Sequence, residues 1–109
     1  MKSILPISLL FFLAACGETP PCERDVEAFV MSQTFIERKL RSPSTAEHPS
    51  ITDAGVSVRA IPKGEGCSFV VMTHVDAQNA FGGTIRENFM VELEPDGGRS
   101  WKLIGINAY

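Results

Sequence analysis

The nine residues 67–75, Cys-Ser-Phe-Val-Val-Met-Thr-His-Val, decide the fold. Their side chains alternate with a period of two, which is typical of a strand with one face in a core. One face carries Phe69, Val71 and Val75. The other face carries Val70, Met72 and His74. This stretch is therefore predicted to be the main strand of a sheet.

Three further strands with a weaker sequence signal are predicted, one before this stretch and two after it. The first covers residues 56–60 and ends at a turn over residues 62–66, Pro-Lys-Gly-Glu-Gly. The next covers residues 85–94 and places four apolar side chains inside: Ile85, Phe89, Val91 and Leu93. The sequence Pro-Asp-Gly-Gly at 95–98 predicts a hairpin turn before a last strand over residues 101–106.

A helix is predicted before the sheet, over residues 22–40. Its apolar face is expected to carry Val26, Phe29, Val30, Ile36 and Leu40. Arg38, Lys39 and Arg41 then lie in its last turn, where the helix dipole favours positive charge. We interpret them as solvated helix-end charges, with a binding patch as the alternative. Pro43 is expected to stop the helix.

These elements predict an α+β fold with two layers. One N-terminal helix packs on a four-stranded antiparallel meander sheet. Residues 22–109 are expected to form a single domain, because the chain of 109 residues is too short for two.

A short apolar run precedes the domain and ends in Leu13-Ala14-Ala15-Cys16. It is about half as long as a membrane-spanning helix, which favours a signal peptide. The four residues resemble the lipobox of bacterial lipoproteins. The resemblance implies that residues 1–15 are a lipoprotein signal peptide, that the Cys16 thiol takes a diacylglycerol (lipid anchor) and that residues 16–21 are a tether. The alternative is an ordinary secreted protein with a chance cysteine at this position.

The resemblance also implies a location in the bacterial cell envelope. Gly17-Glu18 follows the cysteine and lacks the aspartate that commonly retains such lipoproteins at the inner membrane. This favours the periplasmic face of the outer membrane. If lipid occupies Cys16, then Cys22 and Cys67 remain, and outside the cytoplasm such a pair suggests one disulfide. Two separate thiols are the alternative.

Two polar stretches suggest a second resemblance. They read Leu-Arg-Ser-Pro-Ser-Thr-Ala at 40–46 and Val-Asp-Ala-Gln-Asn-Ala-Phe-Gly at 75–82, with Arg86 on the next strand. Together they resemble the signature of a small bacterial and phage domain. In that group the first motif usually continues to Phe-Pro, whereas this chain has Glu47-His48-Pro49. The resemblance implies fold and motif positions but no reaction.

The candidate binding residues are Asp76, Asn79, Phe81 and Arg86. Asp76 and Asn79 can bond nearby backbone amides, Phe81 can fold back as an apolar plug, and Arg86 can reach Asp76 across the hairpin. One interpretation is that they only build the loop and hold it against the turn at 42–45. The other is that they form a recognition site. His48 is expected to be solvated.

The sequence favours a lipid-anchored binding or interaction module, whose expected partners are the membrane and either another envelope protein or an incoming phage or conjugation component. The alternative is an inhibitor-like protein. A small hydrolase using His74, Asp76 and Ser44 has less support, because nothing marks a nucleophile, and an enzyme is not expected. The formal net charge of −3 and the absence of a Lys/Arg cluster argue against nucleic acid. We expect no cofactor and no metal.

Overall fold

The computed structural model describes residues 20–109. Cys16, the predicted signal peptide and most of the predicted tether lie outside the described residues. The elements, in chain order, are a 3-10 turn (Pro21–Glu23), helix α1 (Asp25–Glu37), a 3-10 turn (Pro43–Thr45), β1 (Ser57–Lys63), β2 (Gly66–Gln78), β3 (Thr84–Pro95) and β4 (Trp101–Ala108). The four strands form one antiparallel sheet in the order β1-β2-β3-β4. The predicted α+β fold is confirmed.

Helix α1 covers one face of the sheet and closes a single core. The helix contributes Ala28, Phe29, Phe35 and Ile36, and the sheet contributes Cys67, Phe69, Val71, Val75, Phe89, Val91 and Leu93. The alternation predicted for the main strand is confirmed, since Phe69 and Val71 are fully buried and Val75 is 1% exposed. Strand β1 runs through Pro62 to Lys63, so that the predicted five-residue turn shrinks to Gly64 and Glu65.

The predicted apolar face of the helix is wrong at two positions. Val26 and Val30 are 58% and 55% exposed. The side chains that face the sheet are those of Ala28, Phe29, Ser32, Phe35 and Ile36. These five follow the i, i+1, i+4, i+7, i+8 spacing of a helical stripe. Two of them are small or polar, so the stripe does not stand out in a search for large apolar residues.

Ser32 is tolerated in this stripe because its hydroxyl is satisfied locally. The side chain is completely buried, and its Oγ donates a hydrogen bond to the Phe29 carbonyl oxygen at 2.6 Å. A buried hydroxyl with a partner avoids most of the cost of desolvation.

The ends of α1 differ from the prediction as well. The helix begins at Asp25, after a separate 3-10 turn that contains Cys22, and it ends at Glu37. The amides of Lys39 and Leu40, beyond the helix, bond three positions back, to Ile36 at 2.8 Å and to Glu37 at 3.3 Å. Such tightening is common where a helix ends. Arg38, Lys39 and Arg41 therefore lie beyond the helix rather than in its last turn.

A disulfide joins Cys22 to Cys67, with the two Cα atoms 5.3 Å apart. It fixes the turn before α1 to the beginning of β2. Arg24 adds a second connection at the same end, because its guanidinium lies over the Trp101 ring at 5.1 Å and pairs with Glu27 at 2.8 Å. The pKa of Glu27 is lowered, mainly by this hydrogen bond from Arg24. Among residues 20–109, no helix is long and apolar enough to cross a membrane.

Candidate binding site

The two polar motifs of the sequence meet at the far end of β2. Pairing between β1 and β2 begins at Ser57↔Met72, so the last residues of β2 extend beyond β1. That stretch of edge is covered by the segment after the second 3-10 turn. Glu47 and Asp76 exchange two backbone hydrogen bonds, at 2.8 and 3.1 Å. The backbone N–H of Gln78 donates to Thr45 Oγ1 at 3.0 Å.

Thr45 links the two motifs because its hydroxyl group both donates and accepts a hydrogen bond. Besides accepting from Gln78, Oγ1 donates to the Ser42 carbonyl oxygen at 2.7 Å. The motif at 40–46 is therefore a turn that closes on itself and docks on the motif at 75–82. This contact is the one expected if the polar residues support the loop.

Asp76 and Arg86 are directly opposite one another in the β2–β3 ladder. Arg86 Nε and Nη2 donate to the two carboxylate oxygens of Asp76, at 2.7 and 2.9 Å. The hydrogen bond from Arg86 is the main cause that lowers the pKa of Asp76, against a smaller opposing effect of desolvation. Asp76 in turn raises the pKa of Arg86. The predicted reach of Arg86 across the hairpin is confirmed, and this pair closes the base of the loop.

Asn79 organises the loop at residues 79–83. Its Oδ1 accepts from the backbone N–H groups of Phe81 and Gly83, at 2.9 and 3.0 Å. Its own N–H donates to the Gly83 carbonyl at 2.8 Å. Gly82 has a φ of 84°, a conformation that favours glycine. The loop therefore satisfies its amides locally and has a defined shape.

The prediction that Phe81 folds back as a plug is wrong. Its side chain is 96% exposed. The physical reason is that Asn79 already fills the inside of the loop with hydrogen bonds, so that no apolar side chain is needed there. Phe81 projects from the loop instead.

A groove of about 590 Å³ lies beside the loop, on the same side of the sheet as α1. Its apolar lining includes Leu40, Ala77, Phe81 and Ile85. Ile85 shares the inward face of β3 with Phe89, as predicted, but it is 45% exposed rather than in the core. The helix ends at Glu37, so no helical side chain covers this part of the sheet.

Charged residues border the same groove. Lys39 and Arg41 line it from the segment after α1, and Glu87 lines it from β3. Both are exposed, as the interpretation of solvated charges predicted, and their place beside the groove agrees with the alternative of a binding patch. The Ser-Pro-Ser-Thr motif was the available signal, because docking of that turn on β2 brings the end of the helix beside the loop.

His48 is not solvated, contrary to the prediction. Its side chain is 13% exposed, and Nε2 lies 2.8 Å from Glu37 Oε2. This contact ties the segment after the 3-10 turn to the last residue of α1. The motif sequence did not indicate it, because Glu37 is eleven positions earlier in the chain.

The residues of the hypothetical hydrolase are not joined. Within residues 20–109, no hydrogen bond connects Ser44, His74 and Asp76 to one another. Both oxygens of Asp76 bind Arg86, so this carboxylate is not oriented toward a histidine. In the part of the chain described, no cluster of three His, Cys, Asp or Glu side chains could hold a metal ion.

The chain matches no protein-family model, no curated protein and no solved structure. The function must therefore be argued from the site itself.

Proposed function

We propose that the protein is a lipoprotein of the bacterial cell envelope, anchored by lipid on Cys16, and that it binds a partner protein at the Phe81 loop and the adjoining groove. The supporting observation is the 96% exposure of Phe81 on a loop held by Asn79. A large exposed aromatic side chain on a loop whose backbone is held by hydrogen bonds is typical of an interface anchor.

The disulfide and the Phe81 loop lie toward opposite ends of β2. Cys22 is bonded to Cys67 near the start of β2, whereas the loop follows the end of the same strand. β2 has 13 residues, which corresponds to about 40 Å at 3.3 Å per residue. If lipid is attached to Cys16, the six-residue separation from Cys22 is expected to keep the disulfide end near the membrane. The Phe81 loop then faces away from that membrane, toward a partner.

An inhibitor-like protein is the second candidate. The same projecting Phe81 could enter the cleft of an envelope or extracellular enzyme, since its side chain is exposed and its loop is internally bonded. A hydrolase has less support, because Asp76 is bonded to Arg86. We therefore propose that the protein acts by binding rather than by catalysis.

The anchor is tested by fractionation of cells that express the full chain or Cys16→Ala. The wild type is expected in the outer-membrane fraction, with mass spectrometry showing diacylglyceryl-cysteine after residue 15 has been removed. The Cys16→Ala variant is expected to lose the lipid. An unmodified Cys16 in the wild type would contradict the anchor.

The binding surface is tested by photo-crosslinking in intact cells. A benzophenone amino acid replaces Phe81 in one variant and Arg59, an exposed residue of β1, in the control. We expect one discrete crosslinked protein from position 81, and none of that size from position 59. Equal crosslinking from both positions, or none from position 81, would contradict a partner at the loop.

A further inference from the structure

The edge of β3 is open beside the groove, and the hydrogen bonds of Asp76 define which residues face it. The backbone N–H and C=O of Asp76 both bond to Glu47, on the β1 side of β2. The Asp76↔Arg86 pair is therefore a non-hydrogen-bonded pair of the β2–β3 ladder. It follows that the backbone groups of Arg86 point away from β2.

Two further bonds agree with this assignment. Gln78 donates its N–H to Thr45, again away from β3, so its opposite residue Thr84 also directs its backbone groups outward. At the other end of the segment, the carbonyl of Asn88 accepts from the Tyr109 N–H at 2.9 Å. Backbone groups of alternate residues in this part of β3 therefore point to the β4 side.

Strand β4 does not reach the backbone groups of Thr84 and Arg86. Its pairing with β3 extends only to Phe89↔Ala108. Among the described residues, no backbone hydrogen bond occupies the outer edge at Thr84 and Arg86. An exposed edge of this kind can pair with another extended chain.

The surroundings of this edge select the type of chain. Ile85 and Glu87 point to the groove side, so that an added strand would place alternate side chains in the groove. Lys39 and Arg41 also line the groove, and no acidic partner of either is found within residues 20–109. Two cations stand there against the single anion of Glu87. An acidic segment with apolar side chains complements this lining.

We infer that the partner supplies an extended peptide segment that adds as a strand to the edge of β3 at residues 84–88, with an apolar side chain beside Ile85 and an acidic side chain beside Lys39 and Arg41. The inference rests on the proposed function and specifies the chemistry of its partner. Main-chain hydrogen bonds would supply much of the affinity, and the groove would supply the selectivity.

The probe is a capped, fluorescent octapeptide with the sequence Thr-Val-Thr-Glu-Thr-Val-Thr-Glu. In a strand, its valine and glutamate side chains share one face. Binding to residues 16–109, with the disulfide intact, is measured by fluorescence anisotropy. We expect saturable binding, at least tenfold weaker binding when lysine replaces both glutamates, and protection of the Thr84 and Arg86 amides in hydrogen exchange.

Strand addition is distinguished from side-chain contact by two N-methylated versions of the peptide. Methyl groups on the amides of one alternating set would block pairing with β3, whereas those on the other set would point away from it. A large difference in affinity between the two versions is expected. Equal affinities would overturn strand addition.

The charge selectivity is tested by Lys39→Glu/Arg41→Glu, with Arg59→Glu as the control on the opposite face of the sheet. The affinity of the double variant for the peptide is expected to be at least tenfold lower, and the control is expected to bind with the affinity of the wild type. Circular dichroism of each variant verifies the fold. Unchanged affinity in a folded double variant would overturn the role of the cations.

Two other outcomes would also overturn the inference. One is a dimer in which the Thr84 and Arg86 amides are protected without peptide, since the edge would then serve a second copy of this chain. The other is failure of the octapeptide to bind while Phe81 still crosslinks to a protein in cells. In that case the proposed function stands and the strand chemistry is wrong. If instead the peptide binds but Phe81 crosslinks to no protein, then strand addition stands and a partner at the Phe81 loop is contradicted.

Discussion

Asp76 and Arg86 form a two-pronged ion pair across β2 and β3, with N–O distances of 2.7 and 2.9 Å, at the base of the loop that carries Phe81. The backbone of Asp76 is also bonded to Glu47. One residue therefore connects the loop, the next strand and the docked turn. Removing its charge should weaken the connection to β3 and leave the backbone bonds to Glu47 in place.

Asp76→Asn is expected to lower the melting temperature at neutral pH, because it weakens the bond to Arg86. The pKa of Asp76 is lowered in the folded protein, so its stabilising effect is complete above the ordinary carboxyl pKa of about 4. The effect is lost as the pH falls through the lowered pKa. The difference in melting temperature between wild type and variant should thus be widest at pH 6–7, begin to narrow near pH 4 and disappear only below the lowered pKa of the folded state.

Two controls accompany the Asp76 measurement. Asp96→Asn changes an exposed carboxylate in the last hairpin turn and should not produce this pH-dependent difference. Arg86→Lys keeps the positive charge but not the planar fork, so it should reproduce part of the loss at neutral pH. A difference for Asp76→Asn that is independent of pH would show that the ion pair has no stabilising role.

Asn79→Ala should loosen the loop without unfolding the domain. It removes the oxygen that accepts from the Phe81 and Gly83 amides. We expect a loss of about 1 kcal/mol in unfolding free energy and faster hydrogen exchange at those two amides. Asn107→Ala, at an exposed position in β4, is the matched control. Unchanged exchange at Phe81 and Gly83 would mean that Asn79 does not organise the loop.

Thr45→Val should separate the two motifs. Valine has nearly the same shape but cannot accept from the Gln78 N–H or donate to the Ser42 carbonyl. The expected results are a loss of about 1–2 kcal/mol and increased exchange of the Gln78 amide. Thr34→Val, at an exposed position in α1, is the control. Slow exchange of Gln78 in Thr45→Val would show that the turn docks without this bond.

The sheet could be predicted because its signal is local. In β2, each large apolar side chain alternates with a half-exposed one, and burial of Phe69, Val71 and Val75 follows directly from that order. The disulfide could also be predicted, since only two cysteines remained once Cys16 was assigned to lipid. Both predictions succeed because the sequence leaves few alternatives, either for the buried face of the strand or for the pairing of the cysteines.

The buried face of α1 and the groove could not be predicted in the same way. Ala28 and Ser32 form part of the buried stripe, but their size and polarity do not mark it in the sequence. Phe81 is exposed because Asn79 satisfies the loop, and Ile85 is uncovered because α1 ends at Glu37. These outcomes depend on where distant segments lie in space.

The orientation of α1 can be tested by substitutions on its buried face and on its exposed face. Ile36 is completely buried, so Ile36→Ala should cost about 2–5 kcal/mol of unfolding free energy. Val30 is 55% exposed, so Val30→Ala should change it by less than about 0.5 kcal/mol. Chemical denaturation of both variants gives the comparison. A cost for Val30→Ala that equals the cost for Ile36→Ala would contradict the orientation of α1.

The Cys22–Cys67 disulfide should supply a large share of the stability. It closes a loop of 45 residues in sequence, and the entropy of loop closure predicts about 4 kcal/mol as an upper value. A small domain has roughly 5–15 kcal/mol in total. Cys22→Ala/Cys67→Ala should therefore melt far below the wild type, and reduction of the wild type should give a similar shift. If neither change lowers the melting temperature, then packing of α1 and the Arg24–Trp101 contact suffice to hold this end.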